Sequence, residues 1–494
     1  MIQSLSLDEK IGQILMFGMH GTRVTDRVKR LITEKKLGGL ILFLRNIESV
    51  GQLSDLTGGL QELSPHPLFL SADQEGGAVL RLRHGATLLP SAMGLGTLEP
   101  ARTEKMAEIC GKEMQAVGLN VNLAPVLDIN DPMNPGLGIR SFGEDPERVI
   151  RHGLAYLQGI QSTGVLATVK HFPGKGRARL DSHLDLPVLP LGRSQLDEWE
   201  LKPFRAAIDA GVDLVMTSHC VYSEIDDLPA TLSAKILTDL LRTELGFKGI
   251  LITDDMEMGA ISRYHPGPAA SLKSFEAGAD QILICADEEL QDQVIHDFKL
   301  GFESGSLSQE RLEASVSRIC KVKQKLKPRE GAIDGLVVEH SLTSARIINE
   351  IIEIARDPDH LIPIEEGDSL RVYWPMIERL TKVEEGRTGP EFLRSRLETR
   401  FHHVEWIEFD PRTGPASMEP GTRGATTLFF TANAHLFQSQ ARALREASAW
   451  ESPLIQVVLR NPYDQDLIRT GTCILTYGFL ENVIRALTSR LCGE

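Results

Sequence analysis

Residues 164–185, GVLATVKHFPGKGRARLDSHLD, hold an unusual density of chemically active side chains. An apolar run from Val165 to Val169 ends in Lys170 and His171. A turn at Pro173–Gly174 follows, then a basic loop (Lys175, Arg177, Arg179), then Asp181-Ser182-His183. Lysine donates hydrogen bonds to hydroxyl or amide oxygens. A histidine of ordinary pKa, near 6.5, gives and takes protons around neutrality, and a neighbouring carboxylate fixes its tautomer and stabilises its charged form. Asp181 and His183, two residues apart on a loop, can face each other without help from a strand. Taken alone, the stretch also fits a charged surface loop with a salt-bridged histidine.

Such residues need a scaffold to aim them. The apolar run before Lys170 reads as a buried strand, and the Pro/Gly signals end it at once. Similar runs recur at 11–18, 38–43, 66–73, 119–128, 165–172, 212–219, 249–255 and 281–287. Amphipathic stretches separate them, among them 25–36, 103–117, 194–211 and 232–246, the last with Ser233 as N-cap and Gly246 as C-terminal stop. Eight buried strands alternating with helices over roughly 300 residues fit a (β/α)8 TIM-type barrel better than an open doubly wound sheet. No GxGxxG follows the first strand, which weakens a dinucleotide reading. Asp73, Asp128, Lys170, His171, His219 and Asp254 all fall at or just beyond a strand's C-terminal end. In a barrel that end is the mouth where chemistry gathers, so scattered charges become one pocket.

The 494 residues exceed one ordinary domain. The domains expected are a catalytic barrel over 1–325, a polar linker over 326–334 (LKPREGAID) and a smaller α/β layered domain over 335–494. In that last part 370–377, 425–433, 453–464 and 473–479 read as strands, and 435–450 and 480–491 as helices. Its expected roles are packing and oligomerisation, with shaping one wall of the pocket as the sharper alternative. Apolar content of 42% and charged content of 24% describe a globular protein, and a net charge of −15 argues against nucleic acid as a partner. Six cysteines without a CxxC pair read as buried reduced thiols. The N-terminal residues lack a secretory pattern, and no apolar stretch reaches the length of a membrane span, so a cytoplasmic protein with no membrane partner is expected. Neither HExxH nor clustered Cys/His spacing occurs, so no metal and no cofactor are expected.

Six motifs in order carry a resemblance: GGLILFLRN (38–46), ADQEGGAVLR (72–81), GIRSFGEDP (138–146), VKHFPGKG (169–176), DSHLDLP (181–187) and LITDDMEMGAI (251–261). Over about residues 5–325 the chain resembles glycoside hydrolase family 3, most of all its bacterial β-N-acetylglucosaminidase (β-hexosaminidase) branch, which trims peptidoglycan fragments. The resemblance implies a retaining mechanism with Asp254 as nucleophile and His183, partnered by Asp181, as general acid/base. It implies that Asp73, Arg81, Arg140, Lys170 and His171 bind the sugar. The chemistry is consistent: displacing a glycoside needs a carboxylate on one face and a proton donor on the leaving oxygen. A carboxylate such as Asp73 accepts two hydroxyls, Arg81, Arg140 and Lys170 donate, and cations keep a nearby carboxylate charged. The activity expected is release of terminal β-linked N-acetylglucosamine from peptidoglycan fragments or chitooligosaccharides through a glycosyl-aspartate intermediate. The substrate is then a small carbohydrate or muropeptide.

Alternatives stand beside several assignments. Asp255 adjoins Asp254, and either could cap a loop, although strand alternation puts Ile250, Ile252 and Asp254 on one face and Asp255 on the other. Asp73 could be an N-cap, Arg140 could pair with Glu144, His183 could be merely structural, and His219 is open between pocket and core. Where the family branch carries a GHGDT-like loop, this chain has Gly174-Lys175-Gly176-Arg177-Ala178-Arg179. Those three cations are either a solvated loop or an attractor for peptide-stem carboxylates or phosphate. A phosphorylase using phosphate as acceptor is therefore the second function considered, and a non-catalytic sugar-binding barrel the third.

Overall fold

The computed structural model describes residues 5–329, 331–366, 368–377, 384–385, 389–419 and 424–494. Glu330, within the expected linker, lies outside them. Runs that are apolar on both faces need cover on both faces, which is the signature of a parallel sheet wrapped by helices. Eight such strands occur: β1 (Leu15–Gly18), β2 (Gly39–Ile41), β3 (Phe69–Ala72), β4 (Val121–Asn122), β5 (Leu166–Phe172), β6 (Leu214–Thr217), β7 (Ile250–Ile252) and β8 (Ile282–Ile284), every residue of them buried. Their order in the sheet is β8-β1-β2-β3-β4-β5-β6-β7, all parallel. A single parallel bridge, Ile252–Gln281, joins β7 to β8, so the eight strands form a nearly closed barrel.

The helices between strands start on polar caps. Thr25 caps Asp26–Thr33, and Asp145 caps Pro146–Ser162, whose first residue is the proline favoured there. Two expected elements differ. Residues 11–13 end the opening helix Leu7–Gln13 instead of starting β1. The stretch 194–211 is two helices, Arg193–Glu198 and Leu201–Asp209, because Pro203 is favoured in a first turn and disfavoured inside a helix.

After helix Asp334–Ile351 comes a second sheet of six strands: β9 (Glu353–Arg356), β10 (Ser369–Pro375), β11 (His403–Phe409), β12 (Thr426–Thr431), β13 (Leu454–Val458) and β14 (Thr472–Leu475). Its order is β9-β14-β13-β12-β10-β11, parallel except for β9 against β14. One apolar core runs through both domains. The second domain leans on the barrel's mouth loops. Asn130 Nδ2 donates to the Tyr463 hydroxyl at 2.6 Å, His435 Nε2 lies 3.0 Å from the Pro132 carbonyl, and Asn482 Nδ2 donates to the Leu88 carbonyl at 2.7 Å. Among the described residues no helix is long and apolar enough to cross a membrane. All six cysteines are unpaired and all but Cys320 are buried.

Candidate active site

At the C-terminal ends of β3 to β5, oppositely charged side chains are buried together. Lys170 Nζ lies 2.7 Å from Asp73 Oδ1 and 2.6 Å from Glu75 Oε1. Arg140, on the loop after β4, forks onto Glu75 through Nε (2.8 Å) and Nη2 (2.9 Å). Arg81 stands 3.5 Å from Asp73 Oδ2 and 3.3 Å from Glu385, a residue of the second domain. Burial alone would raise the Glu75 carboxyl, but Arg140 and Lys170 hold it well below the usual carboxylate range. Arg140 therefore pairs with Glu75, not with Glu144, and Asp73 holds Lys170 and Arg81 instead of capping a helix.

Lys170 and His171 both line the cavity described below, although neighbours on a regular strand point to opposite faces. The pairing of β5 with β6 shifts register between Val169 and Phe172, and that irregularity re-aims the two side chains. His171 is fixed by Asp128, which lies 2.7 Å from Nδ1 and also accepts from the main-chain N–H of Lys175 at 2.8 Å. Burial, with Lys175 and Lys170 nearby, holds the His171 imidazole well below its ordinary range, so the ring is neutral at pH 7.

Across the barrel, the loop after β7 carries Asp254 and Asp255. Asp254 Oδ2 faces His171 Nε2 at 3.8 Å and Lys175 Nζ at 4.0 Å, while Oδ1 accepts from the Asp255 N–H at 2.9 Å. Burial alone would raise the Asp254 carboxyl, but His171 and Lys175 foremost outweigh it and hold it well below the usual range. With His171 neutral, the standing positive charge at this oxygen is the Lys175 ammonium. Asp255 goes the other way: burial, Glu257 and Asp254 push its carboxyl up to about 8. Both aspartates line the cavity, so strand alternation fails here: β7 ends at Ile252, before either residue. His219 is fully buried, with Nε2 2.9 Å from the Asp255 carbonyl and Nδ1 3.0 Å from Thr231 Oγ1, and it belongs to the core beneath this turn.

The loop after β5 brings the third group. His183 Nδ1 lies 2.7 Å from Asp181 Oδ1, which also accepts the His183 main-chain N–H at 3.0 Å. The loop is stitched to the segment beyond Asp255: Ala260 N–H donates to the Ser182 carbonyl at 3.1 Å and Gly259 N–H to the His183 carbonyl at 3.4 Å. A Cβ at Gly259 would stand 2.7 Å from the Leu184 carbonyl oxygen, so only glycine lets the loop lie this close. His183, Asp254, Asp73, Arg81, Arg140, Lys170 and His171 all line one cavity of about 250 Å3. That is just below the usual range of ligand pockets, about 300–1,000 Å3, and suits one sugar ring better than a chain.

Residues 6–322 match the glycosyl hydrolase family 3 N terminal domain. The chain belongs to glycosyl hydrolase family 3. It is 36% identical over 335 residues to the β-hexosaminidase A of Pseudoalteromonas piscicida, a match covering 62% of this chain and 56% of that one. This chain thus spans little over half of that relative's length. It is 34% identical over 306 residues to the β-hexosaminidase of Nitrosomonas eutropha, covering 60% and 87%. Among solved structures, a glycoside hydrolase family 3 β-N-acetylglucosaminidase from Paenibacillus sp. FPU-7 superposes with a TM-score of 0.89 at 34% identity, over 99% of this chain and 97% of that one.

In this family 3 chain the basic loop is not a free cluster. Arg177 Nε lies 3.1 Å from Glu200, Arg179 pairs with Asp131 through Nη1 at 2.6 Å, and Lys175 turns inward to Asp254. Sequence reasoning placed Asp128 among the charges at the barrel mouth without giving it a role, left Glu75 out of the site, and did not remark on Glu385. Their strand-end position flags the first, but nothing local flags the pairing of Glu75 with Arg140. That pairing carries a prediction. Glu75→Gln leaves two buried cations short of a partner, so it should cost about 3–5 kcal/mol at pH 7. Because the folded carboxyl is depressed, its contribution is present above the unfolded value of about 4.3 and is lost as pH falls through the lower folded value. Unfolding temperatures of the two proteins should therefore converge on acidification below about pH 4, and a gap independent of pH would contradict the pairing.

Proposed function

We propose that the protein is an exo-acting, retaining β-N-acetylhexosaminidase that removes terminal β-linked N-acetylglucosamine from peptidoglycan fragments or chitooligosaccharides. Asp254 attacks the anomeric carbon while His183 protonates the glycosidic oxygen, giving a glycosyl-aspartate ester. His183, now unprotonated, takes a proton from water as that water attacks, and the ester bond to Asp254 breaks. Asp181 holds the imidazole and stabilises its charged form. Asp73, Arg81, Arg140, Lys170 and His171 hold the sugar ring, Asp73 accepting from hydroxyls and the cations donating. The observation that carries this assignment is a single one-sugar cavity lined at once by Asp254, by His183 and by the charged cluster around Lys170.

Two carboxyls side by side are assigned by their surroundings. Asp254, beside Lys175, is ionised and able to attack, whereas Asp255 is pushed up to about 8 and largely protonated at neutral pH. The test is turnover of an aryl β-N-acetylglucosaminide against the aryl β-glucoside, then product analysis on chitobiose and a GlcNAc–anhydromuramyl peptide with and without phosphate. N-acetylglucosamine released first as its β-anomer supports the proposal. The α-anomer first would exclude retention. Sugar 1-phosphate formed only with phosphate would make the enzyme a phosphorylase, and tight sugar binding without turnover would make it a binding barrel.

A further inference from the structure

The second domain reaches the sugar cavity through one side chain. Glu385 lines it, a quarter exposed, on the side formed by the loops after β2 and β3. Its Oε2 accepts from the Leu44 N–H at 2.9 Å and lies 3.3 Å from Arg81 Nε. Among the described residues no partner is recorded for its other oxygen. The preceding residue explains how a side chain from outside the barrel is held there. Glu384 is buried and forked by Arg460 at 3.0 and 2.6 Å, and Arg460 follows β13 and stacks over the Phe479 ring. The second sheet thus anchors one glutamate and thereby positions the next.

Barrel topology says which end of a sugar this carboxylate meets. In the sheet order β3 and β7 are four strands apart, so Asp73 and Asp254 stand on opposite sides of the mouth. A ring with its anomeric carbon at Asp254 therefore turns the edge bearing its outer hydroxyls toward Asp73, Arg81 and Glu385. A carboxylate that lines the cavity and is held through one oxygen by a cation and an N–H keeps lone pairs that make it a strong acceptor for a hydroxyl.

We infer that Glu385 is a sugar-binding, specificity-determining residue, supplied by the second domain, that accepts a hydrogen bond from one outer hydroxyl of the terminal sugar. This rests on the glycosidase mechanism proposed above and adds a residue to it. The substrate class narrows accordingly: the terminal residue must carry that hydroxyl free, and glycans substituted or deoxygenated there are poor substrates.

The test compares wild type, Glu385→Gln and Glu385→Ala on an aryl glycoside and its 3-, 4- and 6-deoxy analogues. The sugar series is the one wild type hydrolyses fastest, so a wrong N-acetyl preference leaves the comparison readable. For the hydroxyl that Glu385 holds, deoxygenation should lower wild-type kcat/KM about tenfold to a hundredfold and leave Glu385→Ala nearly unchanged. The other two deoxygenations should cost all three proteins alike. Glu385→Gln, which keeps an acceptor oxygen, should fall between. Unfolding temperatures close to wild type would show that the variants keep their fold. If all three penalties are the same in wild type and Glu385→Ala, or if Glu385→Ala lowers every substrate by one common factor, the inference is overturned. Failure of wild type to hydrolyse any aryl glycoside would instead sink the mechanism on which it rests.

Discussion

Asp254→Ala is expected to lower kcat/KM for an aryl β-N-acetylglucosaminide by about four orders of magnitude, as loss of a covalent nucleophile does in other hydrolases. Without it, positive charge developing at the anomeric carbon meets no carboxylate and no ester forms. Asp255 does not take over, because its Oδ1 is held in the turn by the main-chain N–H groups of Glu257 and Cys285, each at 3.2 Å. The variant should fold: the Asp254 side chain makes one local hydrogen bond, to the next residue's N–H, and its neighbours His171 Nε2 and Lys175 Nζ stand 3.8 and 4.0 Å away. Azide, small and anionic, fits the vacated space beside the Lys175 ammonium. It should restore part of the rate and leave the sugar as its α-azide. A loss of less than about tenfold would remove Asp254 from the nucleophile's role.

The barrel was legible because its strands are buried on both faces and their apolar runs need no partner to be recognised. Ends were harder. β4 is two residues long within an expected run of ten, and beyond it the chain stays beside β5 only through irregular contacts such as the Val126–Lys170 bridge. In the second sheet β9 and β11 were not anticipated: both are edge strands, with mostly exposed or half-exposed residues and charges along them, so neither reads as an apolar run. Site residues were legible where a motif fixed them and illegible where only folding pairs them. Lys170 meets Asp73 across 97 residues and Arg140 meets Glu75 across 65, and no spacing rule spans such gaps.

The second domain was expected mainly to provide packing or assembly, yet it also supplies a wall of the cavity. Glu385 lies in a stretch with no periodic pattern, and what gives it a role is its place beside Arg81, which is visible only once the chain is folded. The same domain holds the loop bearing Arg140. Gly138 there has φ +49°, and a Cβ on it would stand 2.4 Å from Asn461 Oδ1, so loop and second domain meet without room for a side chain. The wall of the cavity therefore comes from two domains, whereas Asp254 and His183 belong to the barrel alone.

That division sharpens what removing the acid should do. His183→Ala is expected to lower kcat/KM about 100- to 10,000-fold for chitobiose, whose leaving group must be protonated, and far less for a dinitrophenyl glycoside, whose leaving group departs as the anion. Asp181→Asn should follow the same order with smaller losses, because the ring remains but its tautomer and charged form lose their support. Gly259→Ala tests position without replacing His183 or Asp181. Its Cβ would collide with the Leu184 carbonyl oxygen and come within 3.0 Å of that of His183, so the loop must move away from Asp254. If His183 is the acid, this variant reproduces the leaving-group dependence of His183→Ala at lower amplitude, while binding of the sugar alone, measured by competitive inhibition with N-acetylglucosamine, stays within about twofold. Good and poor leaving groups suffering equally in His183→Ala would show that the proton comes from elsewhere. The imidazole would then be left with a binding role at the rim of the cavity.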